Sequence, residues 1–78
     1  MKLIFTFPNA LMALKCERLI KTHGFAVTPR ATPRALSNEC GICLLVVADD
    51  PEAIAGPARA AGVEIVRHFT FRAESDQP

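Results

Sequence analysis

The sequence has no tryptophan, no tyrosine and only two histidines, and its five phenylalanines are the whole aromatic content. A module that stacks unpaired bases needs aromatic side chains on its central strands, and a zinc site needs four ligands; both are poorly served here. Charge is also nearly absent as a net quantity. Nine basic residues oppose eight acidic ones for a formal +1, and the bases are spread from Lys2 to Arg72, which argues against nucleic acid as a partner. No apolar run approaches the ~20 residues that span a bilayer, and Met1 to Pro8 is too short a run for a secretory leader, so a cytoplasmic location and no membrane partner are expected. Three cysteines, Cys16, Cys40 and Cys43, are an odd number without a secretory signal and are read as reduced thiols, not a disulfide framework. Walker loops, dinucleotide-binding glycine fingerprints, serine-histidine-acid patterns, long repeats and low-complexity segments are likewise missing.

What is present fits one small domain. Half of the 78 residues are hydrophobic and 22% are charged, the balance of a folded chain with a thin core. The domain is expected over residues 1–72, with 73–78 as a mobile tail.

Lys2 to Phe7 alternates Leu3, Phe5 and Phe7 with other residues, as a strand with one strongly buried face does. Pro8-Asn9 ends it. Asn9 can cap a helix that Gly24 closes in the left-handed conformation, with Met12, Ala13, Cys16, Leu19, Ile20 and His23 on its buried side and Glu17 and Lys21 paired four apart. Phe25 to Thr28 reads as a second strand, and Pro29 assigns it to a sheet edge. Residues 30–39 read as a loop. Ile42 to Ala48 is apolar on both alternating faces, as expected of an interior strand whose second face is covered by a helix layer or another subunit. Asp49-Asp50-Pro51-Glu52 is a strong helix start; the helix runs toward Gly62, with a kink or break expected at Gly56-Pro57. Val63, Ile65, Phe69 and Phe71 alternate along a last strand interrupted by Arg67. The order β-α-β-β-α-β predicts an α+β, ferredoxin-like domain: a four-stranded antiparallel sheet with two helices on one face.

The chemistry concentrates in residues 32–43. Cys40 sits beside Gly41 at the end of a loop bearing Pro33 and Arg34, just before an apolar strand. Arg30 and Arg34 would favour a thiolate there and Glu39 would oppose it. From spacing alone, a reactive thiol and a small buried hydrophobe are both open for Cys40. Gly41 offers positive φ or close approach of a partner, and is equally compatible with an ordinary turn; Arg34 after Pro33 is either a rigidly held cation or a solvated one. Cys40-Gly41-Ile42-Cys43 has the C-x-x-C spacing. Three extended steps of ~3.3 Å separate the Cα atoms by ~10 Å, beyond the ~7 Å a disulfide tolerates, so the pair closes only through a turn at Cys40 and Gly41. Cys16 belongs to the buried helix stripe. No metal and no cofactor are expected.

These residues resemble the selenium/sulfur carrier protein-like family of small bacterial domains. The resemblance rests on Phe5-Thr6-Phe7 leading into a helix with Ala13 and Glu17, on Thr32-Pro33-Arg34-Ala35-Leu36-Ser37, on Cys40-Gly41, and on Gly62-Val63-Glu64-Ile65. It extends through about Phe71. It implies that Cys40 is the carrier thiol, with Gly41 beside it and Pro33 and Arg34 shaping the loop. Cys43 departs from the pattern and is a candidate resolving thiol. The implied function is to accept and relay a persulfide or selenium equivalent, as a carrier working with enzymes and not as a stand-alone enzyme. Its partners would be a cysteine desulfurase or sulfurtransferase and an acceptor enzyme. The alternative is a non-enzymatic ferredoxin-like ligand-binding or oligomerisation module, in which the cysteines pack and the third strand seals a homodimer.

Overall fold

The structure is a computed structural model and describes residues 2–32 and 41–71. Its elements are β1 (Lys2–Thr6), α1 (Ala10–Thr22), β2 (Ala26–Ala31), β3 (Ile42–Val47), α2 (Glu52–Ala60) and β4 (Arg67–Phe71). The four strands form one antiparallel sheet in the order β2-β3-β1-β4. This is the ferredoxin-like α+β architecture that the sequence predicts, with β1 and β3 central.

The two helices lie on one face. Ala13, Cys16 and Ile20 of α1 and Ile54 and Ala58 of α2 share a buried cluster with Leu3, Phe5, Leu44 and Val46 of the central strands. Phe5 pairs with Leu44 on one flank and with His68 on the other, where the two rings lie 5.8 Å apart. Burying this aliphatic and aromatic surface is the principal favourable term for a chain this small.

Local signals explain the helix ends. Asn9 Oδ1 accepts from the Met12 amide at 2.9 Å, and Asp50 Oδ1 accepts from the Glu52 amide at 3.0 Å, so an uncoordinated amide at each start is satisfied. Both helices finish the same way. Gly24 and Gly62 have φ of +88° and +79°, and the next residues, Phe25 and Val63, donate back to Ile20 and Ala58, the double-bonded close that needs a left-handed residue. The Lys21–Glu17 pair is made at 3.1 Å.

Several expectations are corrected. The second strand runs to Ala31, so Pro29 lies inside it, opposite Leu44; an edge strand tolerates the missing amide, and Arg30 is therefore a strand residue and not a loop residue. His23 is exposed, because it falls at the helix's C-cap and not on its packed side. α2 is continuous through Gly56-Pro57, so the break allowed for there is not made. Ile54 on one side of the proline and Ala58 on the other are both buried against the same cluster, and this packing outweighs the one lost backbone bond. The last strand begins at Arg67 and not at Val63. Val63 and Ile65 pack with the core cluster, the Val66 amide donates to the Thr6 carbonyl at 2.8 Å, and Phe69 pairs with Ile4 and so faces the other side of the sheet. No helix among the described residues is long and apolar enough to cross a membrane.

Candidate functional site

The segment of interest is attached to the sheet by a described pair. The Thr32 amide donates to the Gly41 carbonyl at 3.0 Å, one step beyond the Ala31–Ile42 pairing. The chain therefore leaves and rejoins the sheet at adjacent positions. Pro33, Arg34 and Cys40 lie outside the described residues, as does the expected tail. Gly41 and Cys43 lie within them.

Gly41 is exposed and is not among the positive-φ glycines. A Cβ built on it meets nothing within 4 Å. The left-handed turn that glycine could supply is not used, so the fold does not require glycine here. Gly41→Ala should leave stability unchanged or raise it by about 0.4–1 kcal/mol, read from urea unfolding. Gly41 is thus open for approach from solvent, and a methyl group there tests access without disturbing the fold.

Cys43 is on β3, 2% exposed, and its Sγ is 3.9 Å from the Ala31 carbonyl oxygen. Its register is informative. Arg30 pairs with Cys43, Cys43 with Thr6, and Thr6 with Arg67, so these four residues form one cross-strand row. The row lies on the sheet face opposite the helices, which is why neither Cys43 nor the buried Thr6 belongs to the main core cluster. Thr6 Oγ1 reaches the Arg67 carbonyl at 3.4 Å. Sequence reading set Arg30 beside the loop cysteine and did not find this row. The signal was the strand order, which fixes the neighbours of β3 once register is known.

Cys16 is fully buried in α1 against the sheet. Desolvation by burial raises its thiol from the ordinary 9.0 to about 11, which makes it a poor nucleophile at neutral pH. The raised value carries a stability consequence. The unfolded chain ionises first as pH rises, so the contribution is fully present below pH 9 and is lost progressively toward pH 11. At about 1.4 kcal/mol per pH unit this is ~2–3 kcal/mol, a loss that denaturation curves across that window should reveal and that Cys16→Ala should lack.

Among the described residues no three histidine, cysteine or acidic side chains come together as a metal site. His23 and His68 are on different elements, one at the C-cap of α1 and one in β4.

No curated protein and no solved structure matches the chain. A family model does, described as Putative Se/S carrier protein-like and matching residues 2–69, which takes in every strand and helix above except the last two residues of β4. With that match over most of its length, the chain belongs to the Putative Se/S carrier protein-like family.

Proposed function

We propose that the protein carries sulfur or selenium on Cys40. The observation that supports this most directly is the burial of the other two thiols, Cys16 at 0% and Cys43 at 2% exposure, in a chain whose family is named for chalcogen carriage. A relay thiol must meet a partner's sulfur, and a buried one does not.

The step balances without an added oxidant. The Cys40 thiolate attacks the terminal sulfur of a donor persulfide; the Cys40 Sγ–S bond forms, the donor's S–S bond breaks, and the donor leaves as a thiolate. Sulfane sulfur moves with no net redox change. The acceptor's nucleophile then removes the terminal sulfur in the same way and Cys40 is regenerated. In this reading Arg34 favours the thiolate and the anionic persulfide electrostatically, Pro33 limits the loop's freedom, and Gly41 leaves the approach unobstructed. Cys43 is the candidate resolving thiol: its attack on Cys40 Sγ would form a disulfide and expel hydrosulfide.

The test is intact-protein mass spectrometry after incubation with a cysteine desulfurase and cysteine. The expected result is an adduct of one sulfur atom that a thiol reductant removes. An unmodified protein, with the desulfurase itself demonstrably persulfidated, would reject the reading.

A further inference from the structure

The sheet face away from the helices has a composition unlike the rest of the molecule. Strand register assigns three rows to it: Ala26, Val47 and Lys2; Thr28, Leu45, Ile4 and Phe69; and Arg30, Cys43, Thr6 and Arg67. Its centre is aliphatic. Val47 is 48% exposed and Ile4, Leu45 and Phe69 are half-buried, although no helix packs on them and none belongs to the main core cluster. The third strand is thus apolar on both faces while the helices cover only one.

Charge on this face is of one sign. Among the described residues, Lys2, Arg30 and Arg67 are on it and no aspartate or glutamate is. The described acids lie elsewhere: Glu17 in α1, Asp49, Asp50 and Glu52 around the start of α2, and Glu64 between α2 and β4. Among the described residues this leaves a partly open apolar strip bordered by cations, with Cys43 and Thr6 buried between Arg30 and Arg67.

We infer that this face docks a protein that presents an apolar patch bordered by carboxylates, and that the persulfide donor enzyme is that partner; the identity of the partner rests on the carrier reading. Two other occupants fit less well. A second copy of the same face would oppose cations to cations with no carboxylate of the described residues between them. Single-stranded nucleic acid would find aliphatic side chains on the two central strands where base stacking needs aromatic ones. The face is also small. Four strands ~4.8 Å apart and about five residues long at ~3.3 Å give roughly 300 Å² of flat area, well short of the ~800 Å² per partner of a stable complex. The interaction is therefore transient and salt-sensitive, as suits a carrier that must leave its donor.

The face adjoins the Thr32–Gly41 closure through its Arg30–Cys43 row, and Gly41 is the neighbour of Cys40 in the sequence.

The experiment is an isotope-edited NMR titration of the Cys40→Ser chain with purified cysteine desulfurase, which reads binding without sulfur transfer. The expected result is perturbation of amides at Ile4, Arg30, Leu45, Val47 and Phe69, with affinity falling about tenfold from low to physiological salt. Val47→Glu and Thr28→Glu, each at an exposed position, should weaken binding about tenfold or more with unchanged thermal unfolding. In the Cys40 protein they should slow loading from the desulfurase and leave loading from free inorganic polysulfide unchanged. Perturbations confined to α1 or α2, no binding, indifference to both substitutions, a homodimer that Val47→Glu dissolves, or an RNA oligonucleotide shifting the same amides would each overturn the proposal. Failure of the carrier reading is separate and distinguishable: the wild-type chain would then take sulfur from neither source, whatever the titration shows.

Discussion

Cys40→Ser should abolish sulfur loading, while Cys16→Ala should keep it. Serine preserves size and hydrogen bonding but supplies no nucleophile able to break a persulfide S–S bond, so the loss expected is complete and not graded. Cys16 makes the useful contrast. It is fully buried and its thiol is pushed up to about 11, so its removal should cost packing stability and not cargo. Cys43→Ser separates two further possibilities. Retained loading with slower release would support a resolving role, whereas loading lost in Cys43→Ser but kept in Cys40→Ser would make Cys43 the acceptor and displace Cys40 from the proposal. The readout is the intact mass after incubation with a cysteine desulfurase and cysteine, with unfolding curves to show that each variant is folded.

Phe5→Ala should unfold the domain or nearly so. Phe5 is fully buried in the centre of the sheet, between Leu44 and His68, in the core cluster shared with both helices. Truncating a buried phenylalanine costs about 3–5 kcal/mol, whereas a chain of this length has a total stability of ~4–12 kcal/mol at 0.05–0.15 kcal/mol per residue. The variant should lose most of its cooperative thermal transition. Phe5→Leu keeps most of the apolar volume and should remain folded, with a loss of no more than about 1.5 kcal/mol if the core repacks around it. An unaffected Phe5→Ala would mean that the helix-side core is not what holds the sheet.

Much of this fold was legible because its signals are local. Asn9, Asp50, Gly24 and Gly62 each act within a turn of their own position, so the sequence marks where the helices start and stop. Pro29 identified the edge strand through a missing donor. Errors arose where a distant contact decides. Val63, Ile65, Phe69 and Phe71 share one parity, yet the strand begins only at Arg67 and pairs Phe69 with Ile4 on the face away from the helices, and no periodicity shows that. Of the kink or break expected at Pro57, the break is not made: α2 is continuous, with Ile54 and Ala58 buried on either side. The candidate site divides in the same way. Cys40 and Gly41 stand out as neighbours in the sequence, whereas the Arg30–Cys43–Thr6–Arg67 row joins four separate strands and exists only once their register is set.

The charge-segregated face follows from the same registers. In sequence, Lys2, Arg30 and Arg67 are unremarked bases among nine; in the sheet they border one apolar surface. On the proposed reading this face receives the donor enzyme. For a carrier this suffices, since the enzymes at either end of the relay supply the remaining catalytic groups.

The central claim is that Cys40 is open to solvent and ionised near neutral pH. Its rate of alkylation by iodoacetamide as a function of pH, followed by peptide mass spectrometry with Cys16 as internal reference, tests this directly. The account expects Cys40 to label fast, with a midpoint below the ~8.5 of an ordinary thiol, while Cys16 stays protected. Equal, slow labelling of both at every pH below 9 would contradict it.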